Sequence, residues 1–467
     1  MNRSKYLVKN TILFALNVIG TKLMTFFLVP LYTNALTTAE YGIVDLIVTV
    51  VTVFIPLMTF NIAESTMRFS LDCNANTVQI LSISLVFAAL SFVSGIIIFF
   101  PCYFINSLTK YSKLVYLYCV SESIYQILIY YLRGIEKLGA YAVGNIVRTA
   151  MIGCLNIIFL IVLKEGIEGY FLSYIIADTI VILFSVIEGN VLHQIREFNY
   201  NKNLAQKMLR YSIVLVPNSF MWWIMNSSDR LMVTSILGSS ANGIYAIAYK
   251  IPNLVSTLSS IFNQAWTYSA IHEQGSNDEE KFNNVMLFNF IDFLLIITSA
   301  LILLTKPILK VYVSPAYFES WKYTPYLLIG AFYMALGTFY STSYSVHKDS
   351  RGYLYSGTAG AFVNILLNWL LIPVYGITGA ALATCSSYII VLLFRIYDTR
   401  KYIKYDLNNT HLKKGSIILF LMLATSFIDN YIGYILMILE AILIAILTRS
   451  TIILIWKKIK DKLVKND

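Results

Sequence analysis

Four cationic side chains stand where long apolar runs should have none: Lys22, Arg148 and Lys250 within runs, and Arg68 at the end of one. An ionised side chain at a bilayer centre costs about 2.5–3.5 kcal/mol on insertion scales, so it persists where it faces a cavity or a partner. Lys and Arg are the usual partners of phosphate, Arg through a bidentate fork. Cations on a cavity wall therefore point to an anionic ligand. Polar residues accompany them at helical spacing. One stripe carries Asp45, Thr49, Thr52, Pro56 and Thr59, and another Asn145, Arg148, Thr149 and Asn156. A third holds Asn218, Trp222, Asn226 and Asp229; a fourth holds Lys250, Asn253, Thr257, Ser260 and Gln264; a fifth holds Asn364 and Asn368. Lining a cavity, Asn145, Asn218, Asn253, Gln264 and Asn364 would suit sugar hydroxyls; the competing role is helix-to-helix hydrogen bonding. For Asn156 and Asn368 packing is the expected role. The acids Asp45, Glu64, Asp178 and Asp229 are candidates to bind sodium or a proton. Glu64 and Arg68, one turn apart, are expected to pair. Arg68 also reads as a helix-end anchor, and Asp229–Arg230 as an interfacial pair.

The elements that must position these residues are membrane helices. Of 467 residues, 58% are hydrophobic and 13% charged, against about 25% charged in soluble domains. A soluble fold of this length cannot hide so much apolar surface. Fourteen stretches approach the roughly 20 apolar residues a crossing needs: 11–36, 42–65, 79–101, 112–133, 140–163, 166–187, 211–236, 241–265, 285–305, 323–346, 352–372, 376–397, 415–428 and 431–455. The chain is thus expected to be an all-α polytopic membrane protein of about 14 transmembrane helices. With the N-terminus inside, the cytoplasmic segments hold 25 Lys and Arg and the outer segments 6. That bias places both termini in the cytoplasm. It also accounts for the net charge of +10 without nucleic acid as a partner. The opening MNRSKYLVKN lacks a small-residue cleavage site and is expected to begin a retained first span. The longest connections are 188–210, polar and amphipathic, and 266–284, acidic at Glu273, Asp278, Glu279 and Glu280.

The two halves resemble each other. At an offset of 201, Val8-Lys9-Asn10-Thr11 matches Leu209-Arg210-Tyr211-Ser212, and Tyr41-Gly42-Ile43 matches Asn242-Gly243-Ile244. Further along, Leu155-Asn156 matches Leu367-Asn368, and Gly166-Ile167-Glu168-Gly169 echoes Gly376-Ile377-Thr378-Gly379. The unit holds six spans, an even number, so the copies are parallel repeats. Expected domains are an N-terminal lobe at 1–190, a cytoplasmic linker at 191–210, a C-terminal lobe at 211–400, and two appended spans with a basic tail at 401–467. Repeats of this kind usually enclose a central cavity that opens to alternate sides, which favours a transporter. Pro30, Pro56, Pro217 and Pro252 interrupt early spans of each lobe and permit bends.

Other chemistries find little support. The five cysteines and four histidines have no metal or redox spacing, so no metal site and no cofactor are expected beyond a coupling ion. No phosphate-binding loop, nucleophile–base set or large external loop is present, so no catalytic residues are assigned.

The stretch KNTILFALNVIGTKLMTFFLVPLYTNALTTAEYGIVDLI, with AESTMRF at 63–69, SSDRLMVTSILGSSANGIYAIAYKI at 227–251 and VNILLNWLLIPVYGITGAALAT at 363–384, resembles the polysaccharide transporters. These are the Wzx-type lipid-linked oligosaccharide flippases of the multidrug/oligosaccharidyl-lipid/polysaccharide (MOP) exporter superfamily. The resemblance covers nearly the whole chain. It implies two lobes in a V around a cationic cavity, in a bacterial inner membrane. It also implies movement of an undecaprenyl-pyrophosphate-linked repeat unit to the outer leaflet, coupled to an ion gradient. By position it makes Arg68, Arg148, Lys250 and Lys22 the residues that hold the pyrophosphate or acidic sugars; relatives often carry Arg near Lys22. Its partners would be the lipid-linked oligosaccharide, membrane lipids and other polysaccharide-assembly proteins. The polymer is left open among capsule, O-antigen of lipopolysaccharide, teichoic-type polymer and exopolysaccharide. Competing readings are a multidrug cation antiporter of the same superfamily, a membrane polymerase or ligase, and a non-transporting scaffold.

Overall fold

The computed structural model describes residues 20–22, 24–72, 75–99, 110–347, 349–406 and 410–453, the side chains at 97–99, 218, 222, 226 and 350 aside. Hydrocarbon offers a backbone no partner, so apolar runs close their hydrogen bonds internally as helices. Among the described residues there is no strand. Helix α1 covers 20–22 and 24–35. It is followed by α2 (Thr38–Thr59), α3 (Ile62–Ser70), α4 (Thr77–Phe99), α5 (Ser112–Gly134), α6 (Leu138–Asn156, continued by a π-helical turn Ile157–Val162) and α7 (Gly166–Glu188). Then come α8 (Val191–Arg196), α9 (Lys202–Ile213), α10 (Leu215–Leu237), α11 (Ser239–Ala248), α12 (Pro252–Glu273) and α13 (Glu279–Tyr312). A 3-10 turn at Pro315–Lys322 leads to α14 (Thr324–Val346), α15 (Ser350–Tyr375), α16 (Ile377–Thr399), α17 (Thr410–Thr425) and α18 (Tyr431–Leu447).

Seven of these helices are long and apolar enough to cross a membrane. The other expected spans are helical where described but shorter, more polar or broken. Two breaks matter. Phe60 and Asn61, both left-handed with φ of 51° and 57°, split the expected span 42–65 into α2 and α3. Tyr249 to Ile251 separate α11 from α12, whose first turn begins at Pro252. There the ring replaces a backbone donor that would have no helical partner anyway.

The chain divides into two compact units, Met1–Ser227 and Ser228–Asp467. The division falls inside α10 rather than at 191–210. The expected linker is instead two helices of the first unit. Helix α9 buries Ala205 and Met208 against Ile62, Ile80, Phe87 and Ile127 and leaves Lys202, Lys207 and Arg210 exposed, the apolar stripe of a surface helix. The expected acidic loop 266–284 also shrinks, because α12 runs to Glu273 and α13 starts at Glu279. Glu279 and Glu280 thus occupy the first turn of a helix, where the dipole favours them.

In the second unit α14, α15 and α16 pack through small residues. A Cβ on Gly379 would lie 2.3 Å from the Leu371 carbonyl oxygen, so the start of α16 touches the backbone at the end of α15. Arg395, counted among the 25 cytoplasmic Lys and Arg although it falls in the expected span 376–397, is inside α16 and 1% exposed. Its Nε donates to Ser356 Oγ at 3.1 Å and its Nη1 to the Gly337 carbonyl at 3.0 Å. Its guanidinium also lies 5.2 Å from the Tyr353 ring centroid. The hairpin α17–α18 leans on α13, where Gly415 leaves room for Leu295.

Candidate functional site

In each unit one buried cluster, built from different helices, contains expected site residues. In the first unit Arg148 projects from α6 between Glu122 of α5 and Asp178 of α7. Its Nε donates to Asp178 Oδ1 at 2.6 Å, and its Nη2 donates to Glu122 Oε2. Asp178 also accepts from Ser121 Oγ at 2.9 Å, and Glu122 from Gln126 Nε2 at 2.9 Å. The guanidinium lies 4.3 Å from the Tyr125 ring centroid, within cation–π range. Tyr125 in turn donates its hydroxyl to Asn145 Oδ1 at 2.6 Å. One cation therefore faces two carboxylates, a surplus of one negative charge with every group ionised.

In the second unit Asp229 of α10 is the centre. Its Oδ2 accepts from the hydroxyls of Tyr245 and Tyr249, each at 2.7 Å, and from Thr384 Oγ1 at 3.2 Å. Asn364 of α15 donates to Thr384 Oγ1 at 3.4 Å and accepts from Ser228 Oγ at 3.3 Å and Asn368 Nδ2 at 3.0 Å. Asn368 Oδ1 is buried with no partner. A buried acceptor left unsatisfied in a cluster already rich in oxygen is a candidate ligand for a hard cation, which takes oxygen ligands. Asp229, Asn364, Asn368 and Thr384 are the residues that would hold it. Among the described residues no group of three or more His, Cys, Asp or Glu occurs, so the donor set is one carboxylate with neutral oxygens.

The remaining expected site residues are dispersed. Arg68 is half-exposed and pairs with Asp72 at 2.6 Å, not with Glu64. Glu64 faces Tyr130 instead, because α3 is a separate short helix with its own direction. Lys22 is exposed on α1, and Lys250 is half-buried at the break between α11 and α12. Asn253, Ser260 and Gln264 are exposed along α12, a stripe that hydrocarbon would not tolerate. Asp45 is buried on α2. The side chain of Asn218 lies outside the described residues.

Arg148, expected to hold an anionic ligand, is thus already bound by two carboxylates. Sequence reasoning missed Glu122, although a lone Glu in the middle of the apolar run 112–133 was its signal. It also missed Tyr245, Tyr249 and Thr384, which carry no charge and so stood out from nothing. Asn368, expected to serve packing, belongs to the Asp229 cluster.

Residues 7–268 match the family model described as "Polysaccharide biosynthesis protein". Among solved structures the chain is similar to "Lipid II flippase MurJ, inward closed conformation", with a TM-score of 0.67, 16% identity, and coverage of 95% of this chain and 98% of that one. It is also similar to "Inward-facing conformation of a multidrug resistance MATE family transporter of the MOP superfamily", with a TM-score of 0.67, 12% identity, and coverage of 83% and 94%. A third likeness is to a MOP superfamily transporter from Pyrococcus furiosus, with a TM-score of 0.54, 12% identity, and coverage of 84% and 92%. No curated protein matches. At these identities the structural likenesses speak for the fold, and the family match spans more than half of the sequence. The chain therefore belongs to the polysaccharide biosynthesis protein family, and its fold is that of the MOP superfamily transporters.

Proposed function

We propose that this protein is a flippase that moves an undecaprenyl-pyrophosphate-linked oligosaccharide repeat unit from the inner to the outer leaflet of a bacterial cell membrane. The observation that carries this reading is the polysaccharide biosynthesis family match over residues 7–268 on a chain with a transporter fold. Transport proceeds by alternating access, which the sequence duplication favours. Lys22 and Lys250 are the cations we assign to the pyrophosphate, and the exposed amides of Asn253 and Gln264 to the sugars. Arg148 drops to a supporting role, since its charge is taken by Glu122 and Asp178. Other polysaccharide-assembly proteins are expected partners. Coupling falls to the Asp229 cluster, whose oxygens suit a sodium ion.

The test is leaflet sidedness of a lipid-linked oligosaccharide in proteoliposomes under an imposed sodium or proton gradient. Protein-dependent flipping, reduced about tenfold or more in Lys250→Ala, supports the reading; such a loss corresponds to about 1.4 kcal/mol. Absence of flipping with every gradient overturns it. Sodium should also raise the unfolding free energy of the native protein, by about 1.4 kcal/mol per tenfold concentration above its dissociation constant. Asp229→Asn should abolish that response. A proton-only dependence would instead move coupling to the acidic cluster around Arg148.

A second reading, a multidrug cation antiporter, is favoured by one observation: the buried cluster around Arg148 holds two carboxylates against one cation. Efflux of a cationic dye against its gradient, with no oligosaccharide flipping, would establish it.

A further inference from the structure

A cavity of about 580 Å³ opens within the first unit, where the α1–α2 and α6–α7 turns meet. Its size falls in the range of small-molecule sites, about 300–1,000 Å³. Its walls carry one acid, one base and one amide, Glu40, Lys164 and Asn34, among apolar residues including Leu31, Leu160 and Ile161. Each polar group keeps an open atom. Glu40 spends Oε2 on the Thr37 backbone N–H and hydroxyl, both at 2.9 Å, while Oε1 is directed at Gly166, 3.5 Å from where a Cβ would stand. Asn34 donates its Nδ2 to the Pro30 carbonyl at 2.7 Å, which leaves its Oδ1 as an acceptor. Lys164 has no ion pair among the described residues, and its φ is 58°, a left-handed conformation unusual for this residue type. The chain regains this geometry through the π-helical turn Ile157–Val162, with the Glu165 N–H donating to the Phe159 carbonyl at 2.9 Å. Single π turns of this kind frequently occur at functional sites. An acid and a base thus share one cavity without pairing with each other. Ile157, Ile158, Ile161, Val162 and Leu163 extend outward from it as an exposed apolar face.

We propose that this cavity binds the headgroup of an aminophospholipid, a phosphatidylethanolamine. Glu40 Oε1 accepts from the primary ammonium, Lys164 Nζ donates to the phosphate, and Asn34 Oδ1 accepts a second ammonium proton. The acyl chains lie on the exposed π-turn face. A zwitterion satisfies both charges at once; a purely anionic lipid leaves Glu40 unpaired, and a choline lipid has no N–H to give it. Neither cation assigned to the transported lipid lines this cavity, so the site does not depend on that assignment.

Native mass spectrometry of the full-length protein released from nanodiscs of equimolar phosphatidylethanolamine, phosphatidylcholine and phosphatidylglycerol tests this. Retained phosphatidylethanolamine should exceed phosphatidylcholine about tenfold, the scale expected for one charge-assisted hydrogen bond. Glu40→Gln keeps the capping role, since Gln also serves at that position, and should abolish the preference between these two lipids. Lys164→Asn, chosen because Asn tolerates the left-handed backbone, should lower retention of both. Unfolding midpoints of both variants check that they fold, and Lys164→Asn is read alone if Glu40→Gln does not. Equal retention of phosphatidylethanolamine and phosphatidylcholine by the native protein overturns the proposal. So does a phosphatidylglycerol preference that only Lys164→Asn removes. Soluble phosphoethanolamine that displaces the lipid completely at micromolar concentration would assign the cavity to a free headgroup and overturn the lipid.

Discussion

Arg148 shows how much a residue's meaning depends on what faces it. Removing it leaves Glu122 and Asp178 buried against each other with no cation, the situation in which breaking a buried ion pair costs about 3–5 kcal/mol. Arg148→Met should therefore lower the unfolding free energy by that amount, and any loss of transport should follow loss of folded protein. Glu122→Gln should behave oppositely. It leaves Arg148 and Asp178 as a balanced pair and keeps a hydrogen-bonding group, so its cost should stay within about 1 kcal/mol. Equal destabilisation by the two substitutions, measured by unfolding in detergent, would show that the second carboxylate is needed in its ionised form. Glu122 was legible in principle, as a charge in an apolar run. Its pairing with Arg148 was not, because the two residues belong to different helices.

At the scale of elements, the C-terminal hairpin is fastened to α13 by polar contacts at both ends. Asp292, fully buried on α13, accepts from Thr451 Oγ1 at 2.6 Å and meets His411 Nδ1 at 2.7 Å. Toward the other end of α13, Lys306 pairs with Asp429 at 2.5 Å and lies 3.8 Å from the Trp321 ring centroid. Asp292→Ala leaves His411 and Thr451 without that partner, which should cost about 1–3 kcal/mol. Limited proteolysis should then cut faster between α16 and α17, and an unchanged rate would mean that packing alone holds the hairpin. A second junction lies outside the spans, between α14 and α15. Asp349 caps α15 by accepting from the Arg351 and Gly352 N–H groups, each at 3.1 Å. Hydrogen bonds from the Tyr402 hydroxyl, the Gly352 N–H and Lys401 hold its carboxyl well below the usual carboxylate range. A depressed carboxylate contributes stability that is present above its unfolded pKa, about 4, and lost as pH falls through its lower folded value. The Arg351 and Gly352 amides should therefore remain protected from hydrogen exchange at pH 3, where ordinary carboxylates are protonated. Asp349→Ala should expose them at any pH.

For the whole molecule, the Lys and Arg bias predicts which ends of the spans face the cytoplasm. In a background lacking the five native cysteines, Lys207→Cys should react with an impermeant maleimide only after the cells are opened. Lys310→Cys should react in intact cells. The reverse pattern would invert the topology and with it the direction of transport. Arg395 is a core residue of α16 rather than a surface charge, so it does not belong in the count.

The sequence by itself determined the solvent, the helical class and the family, because these follow from composition, run length and local order. It also picked out Arg148, Asp178, Asp229 and Asn364 as polar groups in apolar surroundings. Only the tertiary structure decided their roles. Charge and spacing along one helix say that a side chain needs a partner, but the partner stands on another helix, and its identity is set by how the helices pack. That packing gave Arg148 its two carboxylates and Asp229 its two tyrosines. It also left Glu40 and Lys164 facing one cavity without meeting.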